Sequence, residues 1–181
     1  MSKTSAAAAK ALTSSNHFEL FGLQPRFTLD ESALDRSYRE IQAQVHPDRF
    51  AHAGDAERRA SLQWATRVNE AYRALKNPVK RASHILALHG VDVAFETNTA
   101  MPAEFLMQQM ELREALAEAK TPSDLKRLEE QLSAGKTGLE ASIGEAIDAR
   151  TDYAAAAELV RKLRFLEKLE EEIDAAHERL A

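Results

Sequence analysis

Leu34, Tyr38, Ile41 and Val45 follow one another at steps of four, three and four, which sets them on one face of a helix opened by Asp30. Pro47 ends that helix. A residue before proline is pushed out of the α region, so His46-Pro47-Asp48 is expected in a loop. A second long helix is predicted over 55–76, with Leu62, Ala65, Val68, Tyr72 and Leu75 turned inward. Asn77-Pro78 closes it, and a further helix runs from Pro78 to about His89, stopping at Gly90. Ahead of these, Asn16 or Ser15 can cap a short apolar segment over 17–23, ended by Gly22 and Pro25.

Residues 91–101 show no helical period and read as a linker. Three more helices are predicted after it. The first covers 102–119. The second covers 122–149, with Leu125, Leu128, Leu132, Leu139, Ile143 and Ile147 on its apolar face. The third covers 152–180, with Leu159, Leu163, Leu166, Ile173 and Leu180. Gly135, Gly138 and Gly144 each weaken the middle helix by up to about 1 kcal/mol relative to Ala, so a kink or break near 135–138 stands as the alternative to a continuous helix. Short turns between three helices imply an antiparallel bundle. The chain is thus expected to be all-α: a tail over 1–15, a helical module over 16–90, the linker over 91–101 and a three-helix bundle over 102–181.

Composition supports this reading and narrows the chemistry. Ala, Leu, Glu, Lys, Arg and Gln dominate, while six glycines and five prolines leave little turn material for a many-stranded fold. The absence of cysteine excludes disulfides, thiolate zinc and a cluster ligated by this chain's own cysteines. The net charge of −5 is unevenly placed: residues 1–90 carry 13 Lys and Arg against 9 Asp and Glu, and residues 91–181 carry 11 against 20. Phosphate repels so acidic a second half, which argues against nucleic acid as its partner. No stretch approaches the length of about 18 apolar residues that a membrane span needs. The start, through Ser15, is too weakly apolar for a secretory core and lacks the arginines of a transit peptide, so a cytoplasmic protein is expected.

The sharpest motif is His46-Pro47-Asp48, set between two helices, with Arg36 and Arg39 on the first and Arg49-Phe50 following. An X-Pro turn holds an imidazole and a carboxylate in fixed geometry, and nearby arginines steer encounter with an acidic surface. The arrangement resembles the J-domain of co-chaperones that serve DnaK-type ATPases. The resemblance implies that His46, Pro47, Asp48, Arg36, Arg39 and Arg49 meet the chaperone. Further stretches extend it: His17 to Leu23 (HFELFGL), Asn77 to Gly90 (NPVKRASHILALHG), Phe105 to Leu116 (FLMQQMELREAL) and Val160 to Leu169 (VRKLRFLEKL) are similar to the HscB family of J-proteins. That likeness covers about residues 16–181 and includes the C-terminal bundle. It implies a J-domain helical hairpin, an HscA/DnaK-type chaperone and an IscU-type iron–sulfur scaffold as partners, stimulation of the chaperone's ATPase, and no catalysis by this chain. Arg49 stands where the family commonly has Lys.

On the helix from Pro102, Phe105, Leu112 and Leu116 share one stripe, while Leu106, Met107 and Met110 fall on another face beside Glu111, Glu114 and Glu118. Phe165 lies roughly 80–100° away from the Leu159/Leu163/Leu166/Ile173 stripe of the last helix. These residues either widen the core or form an exposed apolar patch with an acidic rim, the composition of a protein-binding surface. The family resemblance favours the second reading and implies scaffold contacts at Leu106, Met107, Met110, Glu111, Glu114, Glu118 and Phe165.

Other candidates are weaker. Gly135-Lys136-Thr137 resembles the end of a P-loop, but the required earlier glycine position is Glu130 and no strand precedes it. His46, Asp48 and His52 lack a fourth ligand at suitable spacing, so no metal site and no cofactor are expected. Two rivals remain: a general J-domain co-chaperone for unfolded clients, and a small metal- or nucleotide-dependent enzyme.

Overall fold

The computed structural model describes residues 16–45, 54–95 and 101–180, and it divides the chain into two compact units, one ending at Leu88 and the other beginning at His89. Among the described residues every regular element is helical, so the chain is all-α.

The first unit begins with α1, His17–Leu20, whose Glu19 N–H donates to the Asn16 side chain at 2.9 Å. Gly22 follows at φ +67, a left-handed turn that glycine adopts without Cβ strain. Helix α2, Glu31–Val45, starts where the Ala33 N–H donates to the Asp30 side chain, and α3 spans Asp55–Lys76. Their cross-contacts run in opposite directions along the two helices. Lys76 Nζ lies 2.7 Å from Glu31, the Tyr72 hydroxyl donates to Asp35 at 2.9 Å, Tyr38 bonds Asn69 at 2.8 Å, and Ser61 Oγ donates to the Val45 carbonyl at 2.8 Å. The two helices therefore form an antiparallel hairpin. The Tyr72 hydrogen bond holds the Asp35 carboxyl below the usual carboxylate range, helped by Lys76, and pushes the Tyr72 hydroxyl up.

Helix α3 keeps Val68 and Leu75 inward and Ala65 and Tyr72 half-buried, as the sequence implies, and departs from the expectation at Leu62. Ser61, Trp64, Val68, Ala71 and Leu75 are buried, and Leu62 is 55% exposed instead of inward. The Val45 carbonyl, at the end of α2, accepts from Ser61 on α3, which draws a hydroxyl-bearing face of α3 inward. Helix α4, Pro78–Leu88, closes the unit, with Arg81 donating to the Leu75 carbonyl at 2.7 Å while its guanidinium lies 4.9 Å from the Phe27 ring centre.

The second unit holds α5, Ala103–Glu118, α6, Pro122–Gly144, and α7, Tyr153–Leu180. Thr121 and Asp124 cap α6 reciprocally. The break considered near 135–138 does not occur, and the helix passes through both glycines. The irregularity comes later, as a π-helical turn over Glu145–Ala149. The chain then turns at Thr151, φ +52, and Asp152 caps α7. Glu129 meets His177, and Lys136 meets Glu170, so α6 and α7 are antiparallel; Phe105 meets Phe165 and Arg113 meets Glu172, so α5 runs along α7 in the same direction. Leu128, Leu132, Leu166, Leu169 and Ile173 form a core on which Phe105, Leu112, Leu116 and Leu139 pack. Leu180, expected inward, is 40% exposed at the end of α7. Within the expected linker, Val93 is buried and its carbonyl accepts from the buried Arg161 side chain at 3.0 Å.

Candidate partner-binding surfaces

Helix α2 buries Leu34 and Val45, and 100° steps place Arg36 and Arg39 on the opposite side, where both are exposed. Arg58 and Arg59, near the start of α3, are exposed too, Arg58 pairing with Asp55. Arg36, Arg39, Arg58 and Arg59 are thus all exposed on this hairpin, alongside the exposed carboxylates Glu31, Glu40, Asp55 and Glu57. His46, Pro47, Asp48 and Arg49 lie outside the described residues.

On α5 the two stripes separate as their spacing implies. Phe105, Leu112 and Leu116 pack on the bundle core. Leu106 is 42% exposed, and Met107 and Met110 are 62% exposed each. Glu111, Glu114 and Glu118 are exposed beside them. Phe165 is half-buried, with its ring edge-on to Phe105 at 6.2 Å between centres, so it stands at the seam between α5 and α7. Three large apolar side chains left in water on one helix face are costly alone, at about 25 cal/mol per Å² of surface a partner could cover. Unbranched methionines suit such a surface because they adapt to the shape that covers them.

Two features of α5 were not evident in the sequence. Its single buried residue is Gln109, not an apolar one, and Lys162 of α7 holds its ammonium 5.8 Å from the Phe105 ring centre. Gln109 also lines a groove of about 760 Å³ between α5 and the other two helices, along with Leu112, Leu132, Leu139 and Leu166. Only the spacing of Gln109 from Phe105, Leu112 and Leu116 marks it as inward-facing. Among the described residues no group of three His, Asp or Glu could hold a metal ion, and no helix is long and apolar enough to cross a membrane.

Known proteins resemble both the sequence and this fold. The family model described as the HSCB C-terminal oligomerisation domain matches residues 101–174. The co-chaperone protein HscB homolog of Azoarcus sp. strain BH72 is 51% identical over 168 residues, covering 91% of this chain and 95% of that protein. That of Ralstonia nicotianae is 49% identical over 170 residues, covering 92% and 97%. Human co-chaperone protein HscB superposes with a TM-score of 0.85 at 30% identity, over 90% of this chain and 82% of that one. Chaperone HscB from Vibrio cholerae gives 0.80 at 35%, over 92% and 99%. With a helical hairpin, a three-helix bundle and half of its residues shared with relatives across nearly its whole length, the chain belongs to the HscB co-chaperone family.

Proposed function

We propose that this protein is an adaptor of iron–sulfur cluster assembly that joins an IscU-type scaffold to an HscA/DnaK-type chaperone in the cytoplasm. The bundle binds the scaffold through Leu106, Met107, Met110 and Phe165, with Glu111, Glu114 and Glu118 as the charged rim. The N-terminal unit docks on the chaperone through His46, Pro47, Asp48, Arg36, Arg39 and Arg49 and stimulates its ATP hydrolysis. The chain supplies no catalytic group of its own. Holding client and chaperone on one molecule raises the effective concentration of each at the other. The observation that supports the reading is the exposed Leu106/Met107/Met110 face of α5, apolar at its centre and acidic at its border.

Calorimetric titration with the scaffold, alongside single-turnover ATPase assays of the chaperone, tests both halves. Replacing Leu106, Met110 and Phe165 together with Ala is expected to weaken scaffold binding by roughly a hundredfold while the fold persists. His46→Gln is expected to abolish ATPase stimulation and leave scaffold binding intact. Undiminished scaffold binding by the folded triple variant would remove the patch from the proposal. Equal affinity for denatured polypeptides would favour a general co-chaperone for unfolded clients.

A further inference from the structure

The His84 side chain reaches back to the start of the chain's first helix. Its Nε2 accepts a hydrogen bond from the His17 backbone N–H at 3.1 Å. The two imidazoles stack at 4.2 Å between centres with planes 20° apart, and the Phe18 ring lies 6.0 Å from that of His84. His17 is the first residue of α1, so its N–H has no acceptor within the helix. Asn16 serves Glu19 and His84 serves His17, so a residue 67 positions away shares in the cap.

This geometry requires a neutral ring. An Nε2 that accepts must carry its lone pair there and its proton on Nδ1. A proton added at Nε2 replaces the acceptor with a donor facing another donor. A proton on either ring also places a cation against its stacked neighbour within a half-buried site. Among the described residues, the charged groups that act on His17 are Arg67 and Glu70, both on α3, Arg67 opposing a charge on it and Glu70 favouring it, while the group that acts on His84 is His17 itself. Burial lowers both imidazoles from their ordinary value; Arg67 lowers His17 further, Glu70 raises it in part, and His17 lowers His84.

We propose that the His17–His84 pair is an acid-sensitive latch: two neutral rings hold α1 in place, and uptake of a proton by either ring releases it. Phe18, Leu20 and Phe21 are buried and would come away with α1. The sign follows from proton counts. Below about pH 6.5 the unfolded chain binds protons that the folded pair refuses, so stability is held above that value and declines as the pH falls. The latch acts on the N-terminal unit and is independent of what the bundle binds.

The chain has one tryptophan, Trp64, buried in α3, so its fluorescence reads unfolding of this unit. Urea unfolding of the full chain at pH 7.5 and 5.0 compares wild type with His84→Gln, which keeps an acceptor, and His84→Phe, which keeps the stack. The wild-type unfolding constant is expected to rise on acidification by about tenfold more than that of either variant. Parallel responses overturn the proposal. If both variants are too unstable to analyse, imidazole NMR titration of the wild type decides: midpoints of both rings below about 6.5 sustain the latch, and midpoints at or above it overturn it.

Discussion

Ser61 Oγ donates to the carbonyl of Val45, the last residue of α2, in a site closed to solvent. Removing the hydroxyl deletes a buried hydrogen bond to that carbonyl, whereas trimming Leu62 removes atoms already in water. Ser61→Ala is therefore expected to destabilise the N-terminal unit by about 1–2 kcal/mol, and Leu62→Ala by no more than about 0.5 kcal/mol. Chemical denaturation of the two variants checks the pair, and the reverse order would mean that α3 is rotated. Hydropathy ranks the residues the other way, because no scale applied to α3 sees a carbonyl acceptor 16 residues earlier. The same blindness hid His84 as a cap for His17 and Arg161 as a donor to Val93, 67 and 68 positions apart.

At the level of elements, α6 carries two glycines where nothing in the structure needs them. A Cβ at Gly138 meets no atom within 4 Å, and one at Gly135 meets Leu166 Cδ1 at 3.5 Å, an ordinary contact. Gly138→Ala and Gly135→Ala are each expected to stabilise the bundle by about 0.5–1 kcal/mol, read as a rise in its melting temperature by calorimetry. A fall at Gly135 alone would show that Leu166 has no room to adjust. The helices were legible in the sequence because apolar periods and proline or glycine stops agree over most of their lengths. The two stripes of α5 were legible for the same reason, and the exposure of Leu106, Met107 and Met110 follows from their spacing. The continuity of α6 was not, since α7 packs against α6 along its length and outweighs a local propensity cost near 1 kcal/mol. The π-helical turn at Glu145–Ala149 has no periodic signature at all.

At the scale of the molecule, the compact unit beginning at His89 is longer than the bundle read from helical periods, because Arg161 and Val93 tie residues 91–95 to α7. A fragment over 102–181 loses the acceptor of a buried guanidinium and an apolar side chain that covers the core. It is expected to be about 2–4 kcal/mol less stable than a fragment over 89–181, as measured by urea titration monitored by circular dichroism. Equal midpoints would show that residues 89–101 add nothing to the bundle. Helix α5 stands apart within this unit, since Gln109 is its single buried residue while α6 and α7 bury long rows of each other's apolar side chains. Opening α5 away from its neighbours thus exposes the least new surface of any bundle helix, and its amides are the first to trade hydrogen for solvent deuterium. A partner that settles on the outer face of α5 raises the cost of that opening, so its arrival is recorded as slowed exchange along the entire helix, well beyond the few side chains it touches.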